Sequence, residues 1–299
     1  MKISNRPLQT ESDKLYYYEF QAARNAFEYI LRMPANKNKT VFLPAYIGQS
    51  SREGSGVFDP IRNTGANYVF YPMDNKLQIN KSKLISQLKK SPPAILLLIH
   101  YWGFVDANTA MIKKTAKQLG HLVIEDYAHG LFTFFKNTDV TFDYAFFSLH
   151  KMFPYQAGGV LLSRTPIAGL RAYNNDFFHF HLSKISEKRV QNYLILTRLL
   201  KRHSFSFVKF LRPHLKNNIP QSLPLLIRNT ALRDKLYFEL NKQDFGVVSL
   251  YHELIGEIPQ QFKNEKNISA RILNLPVHQS VDPKQYIQLL SAMKKIAKG

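Results

Sequence analysis

The chain contains no cysteine, which excludes disulfides, thiolate metal sites and a cysteine nucleophile together. Long hydrophobic runs are missing as well. The longest, residues 94–99, is far too short to span a membrane. The opening stretch MKISNRPLQTESDK lacks the apolar core of a signal peptide, so the expectation is a soluble cytoplasmic protein. Tryptophan occurs once, as Trp102, and reads as structural. Acidic residues are scarce: 21 Asp and Glu stand against 41 Lys and Arg, a formal charge of +20. Such an excess favours anionic partners, whether nucleic acid, an anionic membrane surface or a phosphorylated small molecule. The basic residues are nevertheless spread from Lys2 to Lys298. Their densest stretches, 184–202 and 294–298, fall on predicted helices, and no nucleic-acid motif accompanies them. A solvated basic face is the expectation, and nucleic acid is not an expected partner. Internal repeats and low-complexity segments are absent from the sequence.

What is present suits a folded enzyme-sized unit. The 299 residues are 45% hydrophobic, enough for one large domain and a smaller one, each with a buried core. Apolar spacing predicts a helix over 15–32, a strand in TVFLPAY, a helix over 49–64 and a short strand over 67–71. A helix over 80–90 leads into AILLLIH (94–100), which reads as a fully buried strand. A helix over 108–119 is followed by the strand HLVIED (121–126). The strands YAFFSLH (144–150) and GGVLLS (158–163) complete the series. Strands alternating with helices in this way predict an α/β fold with a mostly parallel sheet flanked by helices. After residue 165 the pattern changes. A long basic helix over 183–212, a proline-rich connection over 213–224, strands over 222–227 and 245–252, and helices over 231–242 and at the C-terminus predict a small α+β domain. The predicted division is therefore 1–165 and 166–299.

Ligands in open parallel sheets bind beyond the carboxyl ends of the strands. Asp126, His100 and Lys151 lie at or just past such ends and should gather at one rim. A carboxylate in an apolar crevice needs a cationic partner, and a lysine there tends toward a lowered pKa that frees its amine as a nucleophile. Two readings of these residues stay open at this point: a structural Asp–Lys pair, or a reactive amine with its counter-charge.

The ordered set VFLPAY, HYWGF, VIEDYAHG, FSLHK, GGVLLS and ILNLPVHQS resembles the DegT/StrS-type sugar aminotransferases, a branch of the pyridoxal-phosphate enzymes of fold type I. The resemblance runs along most of the chain, and its specificity lies in the order of several individually weak pieces. It implies that 1–165 binds pyridoxal 5'-phosphate. Lys151 matches the lysine that forms the internal Schiff base and moves the substrate proton. Asp126 matches the aspartate that keeps the pyridine nitrogen protonated, so that the ring acts as an electron sink. His129 falls where the family places a polar residue near the ring hydroxyl, and Ser148 where a serine helps hold the phosphate. Ala22, Ala23 and Arg24 fall on the phosphate-binding helix start. His100 and Tyr101 fall in a turn that lines the cofactor and substrate, and His278 in a segment that returns toward the substrate mouth. The resemblance further implies a keto-sugar nucleotide as amine acceptor in surface-polysaccharide or deoxy-sugar biosynthesis, glutamate as donor, and a homodimer. Members that dehydrate their substrate lack the Schiff-base lysine, so Lys151 points to transamination.

The sequence also departs from the family. Helix N-termini bind phosphate through free backbone amides, and the usual Ser-Gly turn there is replaced by Gln21-Ala22-Ala23-Arg24. Ser148 and Lys151 are three apart, closer than is usual, and the stretch between Lys151 and Arg189 is short. Gly48 stands where many members carry a ring-stacking aromatic, with Tyr46 as the nearby substitute. These departures keep a second expectation open: a non-catalytic descendant of the fold that binds a sugar nucleotide or an anionic partner.

Overall fold

The computed structural model describes residues 14–51, 53–137, 139–173, 179–212 and 215–298. The N-terminal stretch before Lys14 and Pro213, both read above, lie outside them. A seven-stranded sheet organises the first half. Its strands are β1 (Tyr16–Phe20), β2 (Val41–Pro44), β3 (Tyr68–Tyr71), β4 (Ile95–Ile99), β5 (Leu122–Asp126), β6 (Tyr144–Ser148) and β7 (Gly159–Ser163), in the order β1-β7-β6-β5-β4-β2-β3. Strands β3, β2, β4, β5 and β6 run parallel, while β7 is antiparallel to both β6 and β1. The expected fold class is thus the one observed.

Covering both faces explains why the central strands are apolar throughout. Successive side chains point to opposite sides. Val41, Leu43, Ile95, Leu97, Ile124 and Phe146 pack with Phe27 and Ile30 of α1 (Ala23–Arg32) and with Phe58 and Ile61 of α2 (Phe58–Thr64). Phe42, Leu96, Leu98 and Val123 pack on the other side with Leu84 and Leu88 of α3 (Lys81–Lys89) and Ile112 and Ala116 of α4 (Thr109–Gln118). By this alternation Glu125 faces α4 and Asp126 faces away from it. From β2 the chain winds outward to β3, then returns through α3 to β4 on the opposite side of β2. The direction of winding therefore reverses between β2 and β4, and a crevice opens at the carboxyl ends of those strands.

The second half holds a three-stranded antiparallel sheet of β8 (Val208–Phe210), β9 (Ser222–Ile227) and β10 (Ile272–Pro276), in the order β10-β9-β8. Helix α6 (Leu182–His203) lays its Arg189 guanidinium 4.8 Å from the Phe132 ring of α5 (Leu131–Lys136). It buries Arg189, Asn192, Tyr193, Leu196, Thr197 and Leu200, a stripe at helical spacing. Helices α7 (Thr230–Asn241), α8 (Lys263–Arg271) and α9 (Gln285–Lys298) complete the chain. Among the described residues no helix is long and apolar enough to cross a membrane.

Four expectations about elements are corrected. Residues 16–20 form an edge strand rather than the start of a helix, because the aromatic run YYYEF pairs along β7 and aromatic residues suit a pleated, half-buried surface. The helix over 49–64 shrinks to α2, whose first turn is held by the Ser55 hydroxyl accepting from the Phe58 amide at 3.1 Å. The long basic helix stops at His203, where Ser204 turns left-handed with φ 47°. Residues 245–252 form no strand. Left-handed backbone at Asp244, Gly246 and Tyr251 interrupts the run, which keeps only an isolated bridge from Val248 to Asn274.

Candidate active site

The β5 strand delivers Asp126 to the rim, where its Oδ1 accepts from the Ala128 amide at 2.7 Å. The side chain is buried, and burial pushes its pKa up against the opposing pull of that amide and of Lys151. His129 follows in the same turn. Its Nδ1 lies 3.4 Å from the Trp102 backbone N–H, which donates to it. The proton of the neutral ring therefore sits on Nε2. From the turn after β6, Lys151, an exposed residue, brings its amine to 3.3 Å from that Nε2 in a part-buried contact.

Two cations cannot share this spot. Burial and the neighbouring Lys151 hold His129 well below its ordinary pKa. Burial also lowers the Lys151 pKa, against the attraction of Asp126 and Glu53, and Arg24 lowers it further. Both shifts run toward the neutral forms, and the neutral amine is the nucleophilic one.

Ser148 closes β6 opposite Gly159 on β7, with its hydroxyl 3.3 Å from Nδ1 of His150. Gly159 has no room for a side chain: a Cβ there would stand 2.2 Å from the Ala22 carbonyl carbon and 2.4 Å from the Ala23 nitrogen. The Gly158 amide also donates to the Gln21 carbonyl at 2.9 Å. The start of α1 is thereby pressed onto β7 beside Ser148. Its N-cap, Ala22, has no side-chain hydrogen bond to the first turn, leaving the first amides of a ten-residue helix for an outside acceptor. The Arg24 guanidinium is taken up elsewhere, donating to the Glu53 carbonyl at 2.7 Å and pairing with Asp59 at 3.3 Å.

His100 and Tyr101 adjoin this cluster through the backbone and through Tyr251, but their polar atoms bond elsewhere. His100 is 1% exposed, and its Nε2 lies 2.9 Å from Glu125, whose other oxygen receives the Lys113 amine at 2.9 Å. Tyr101 is equally buried and donates its hydroxyl to the Tyr46 carbonyl. Tyr46 is fully buried as well, its ring 5.4 Å from that of Tyr101. His278 is exposed, its pKa lowered by partial desolvation and then by the charge of Arg189.

Sequence reasoning missed Tyr251, which stands between α7 and α8. Its ring is 5.7 Å from the His129 ring and 5.4, 5.2 and 6.4 Å from Tyr46, Tyr101 and Trp102. Trp102 and Tyr251 both adopt left-handed backbone, at φ 55° and 64°, a strain of roughly 1–3 kcal/mol each that tends to collect at functional sites. The Tyr46 hydroxyl and the Trp102 indole N–H are buried without a hydrogen-bond partner among the described residues. No local pattern announces this aromatic group, because its members come from three distant parts of the chain.

Comparison with known proteins bears on the same rim. Residues 55–172 match the DegT/DnrJ/EryC1/StrS aminotransferase family. The matched stretch contains Asp126, His129, Ser148 and Lys151. Solved structures agree on the architecture. An aminotransferase from Psychrobacter cryohalolentis aligns with a TM-score of 0.73 at 14% identity, over 96% of this chain and 88% of that one. NtdA from Bacillus subtilis, solved with its cofactor PMP bound, aligns at 0.72 and 15% identity over 95% and 74% of the two chains. Helicobacter pylori PseC, an aminotransferase of pseudoaminic acid biosynthesis, aligns at 0.71 and 15% identity over 94% and 86%. At such identities these three share the fold. No curated protein matches the sequence.

Proposed function

We propose that this protein is a pyridoxal-phosphate-dependent aminotransferase in which Lys151 holds the cofactor. The observation that carries the reading is the Lys151 amine 3.3 Å from His129, each with its pKa lowered, on the rim that also buries Asp126. The donor set suits the group at each of its polar ends. Asp126 is a buried carboxylate without a protein cation in hydrogen-bond contact among the described residues, and a pyridinium N–H would complete it. His129 offers its Nε2 proton to the ring hydroxyl. Ser148 and the uncapped start of α1, held close by Gly159, offer donors to the phosphate. Asp126, His129, Ser148, Ala22, Ala23 and Arg24 are thus the proposed cofactor-binding residues, with Arg24 contributing its backbone amide rather than its guanidinium.

When bound, the cofactor supplies the electron sink that lets an amino donor lose its α-proton. Lys151 then serves as the base that takes this proton and returns it, its lowered pKa placing it nearer the range useful at neutral pH. His129 and Asp126 keep their protons and charges fixed while this happens. The acceptor proposed is a keto-sugar linked to a nucleotide, glutamate is the donor, and the working unit is a homodimer in the cytoplasm. The formal charge of +20 favours a diphosphate-linked acceptor in a general way.

The direct test is the half-reaction. Protein loaded with pyridoxal phosphate should convert glutamate to 2-oxoglutarate in an amount equal to bound cofactor, with loss of the cofactor's visible band. Lys151→Ala should release none. A loaded wild type that leaves glutamate untouched, and alanine and glutamine likewise, overturns the transamination reading.

A further inference from the structure

Tyr251 enters the crevice between the carboxyl ends of β2 and β4, and several independent features hold it there. The Gln49 amide donates to the Glu253 carbonyl at 3.0 Å and the Ile255 amide to the Ile47 carbonyl at 3.0 Å, with an antiparallel bridge from Gly48 to Leu254 between them. These bonds clamp the loop from the smaller domain onto the segment that follows β2. The Ser269 hydroxyl donates to the Tyr251 carbonyl at 2.7 Å, fixing the residue from the α8 side. Gly48 makes the fit possible, since a Cβ there would lie 2.6 Å from Cδ1 and 3.0 Å from Cα of Tyr251. The ring so admitted sits against His129, and the Asp126 charge adds to burial in raising the phenol's pKa.

Tyr251 is thus a half-buried tyrosine on left-handed backbone, clamped from two sides, with its ring beside His129 and in the field of Asp126. Flat aromatic ligands gain affinity and fixed orientation by lying against aromatic side chains. We propose that Tyr251 forms the aromatic wall of the cofactor site, its face lying along the pyridine ring held between Lys151 and Asp126, with Gly48 as the gap that admits it. The second half of the chain thereby completes a site whose other groups all come from the first half. This inference rests on the pyridoxal-phosphate reading given above.

The test titrates pyridoxal phosphate into wild type, Lys151→Ala, Tyr251→Phe, Tyr251→Leu and Gly48→Ala. It follows equilibrium binding and the circular dichroism of the bound cofactor, and near-ultraviolet dichroism and urea unfolding identify the folded variants. Tyr251→Leu should weaken binding about tenfold and alter the cofactor dichroism, because it removes the stacking face. Tyr251→Phe should stay within about threefold of wild type for the same reason. Gly48→Ala, which pushes the ring aside without deleting it, should move both readouts in the direction of Tyr251→Leu. Wild-type affinity and dichroism in Tyr251→Leu overturn the inference. Tighter binding in Tyr251→Leu also overturns it, since the ring would then block the site rather than line it. A wild type indistinguishable from Lys151→Ala refutes the underlying cofactor reading and the inference with it.

Discussion

The Lys151 amine and Nε2 of His129 stand 3.3 Å apart, beside the buried Asp126. The Trp102 amide donates to Nδ1 of the imidazole, so the neutral ring carries its proton on Nε2, facing the amine. Burial lowers the pKa of both groups. The contact thus favours the neutral forms of both groups, and its consequences extend to stability as well as chemistry.

Acid should destabilise the fold through His129. Its folded pKa lies well below the ordinary 6.5. Between those two values the unfolded chain binds more protons, so stability falls as the pH drops from 6.5 into that window. Asp126 works in the opposite sense: its pKa is raised, so it loses stability as pH rises through the raised value. Comparing His129→Gln with wild type isolates the imidazole. Urea unfolding at pH 7.5 and pH 5 should show a smaller acid loss in the variant, which keeps an N–H donor and cannot titrate. Equal losses contradict the assignment.

Ser148 should matter only to a ligand that carries phosphate. A hydroxyl donating to an anion is worth about 1.5–3 kcal/mol, so Ser148→Ala should weaken pyridoxal phosphate by roughly tenfold to a hundredfold. Pyridoxal, which lacks the phosphate, should bind wild type and variant alike. Equilibrium binding of the two compounds checks this, and an equal loss for both places the serine elsewhere in the site.

Beneath the rim lies a buried charge network that should dominate stability rather than catalysis. Lys113 is 1% exposed and pairs with Glu125 at 2.9 Å and Asp139 at 3.0 Å, while His100 takes the other Glu125 oxygen. Removing one partner of a buried pair strands the other, typically for about 3–5 kcal/mol. Lys113→Met should therefore destabilise strongly. Adding Glu125→Gln should recover part of that loss, because no bare carboxylate then remains buried. Urea unfolding of both singles and the double measures the coupling, and simple additivity contradicts the network.

The parts of this molecule that can be read from the sequence are those set by local pattern. Strands β2, β4 and β5 are legible because both faces are covered and their apolar runs are unbroken. The placing of Asp126 and Lys151 at strand ends follows from the same runs. His100 and Tyr101 lie at a strand end too, yet their side chains turn to Glu125 and to the Tyr46 carbonyl, and strand-end position says nothing about such orientation. YYYEF reads as part of a helix because its pairing partner, β7, lies far along the chain. Val247 and Val248 favour a strand, but positive φ at Asp244, Gly246 and Tyr251 gives the segment a loop course. Tyr251 itself is invisible in sequence, since its relation to Gly48 and His129 is tertiary.

The most direct test of the central claim is covalent trapping. Protein mixed with pyridoxal phosphate is reduced with borohydride, digested, and mapped by mass spectrometry beside Lys151→Ala treated in the same way. The reduced cofactor is predicted on Lys151, at close to one per chain, with no comparable adduct elsewhere and none at a defined site in the variant. Label scattered over surface lysines in both proteins, with Lys151 unmodified, would contradict the account.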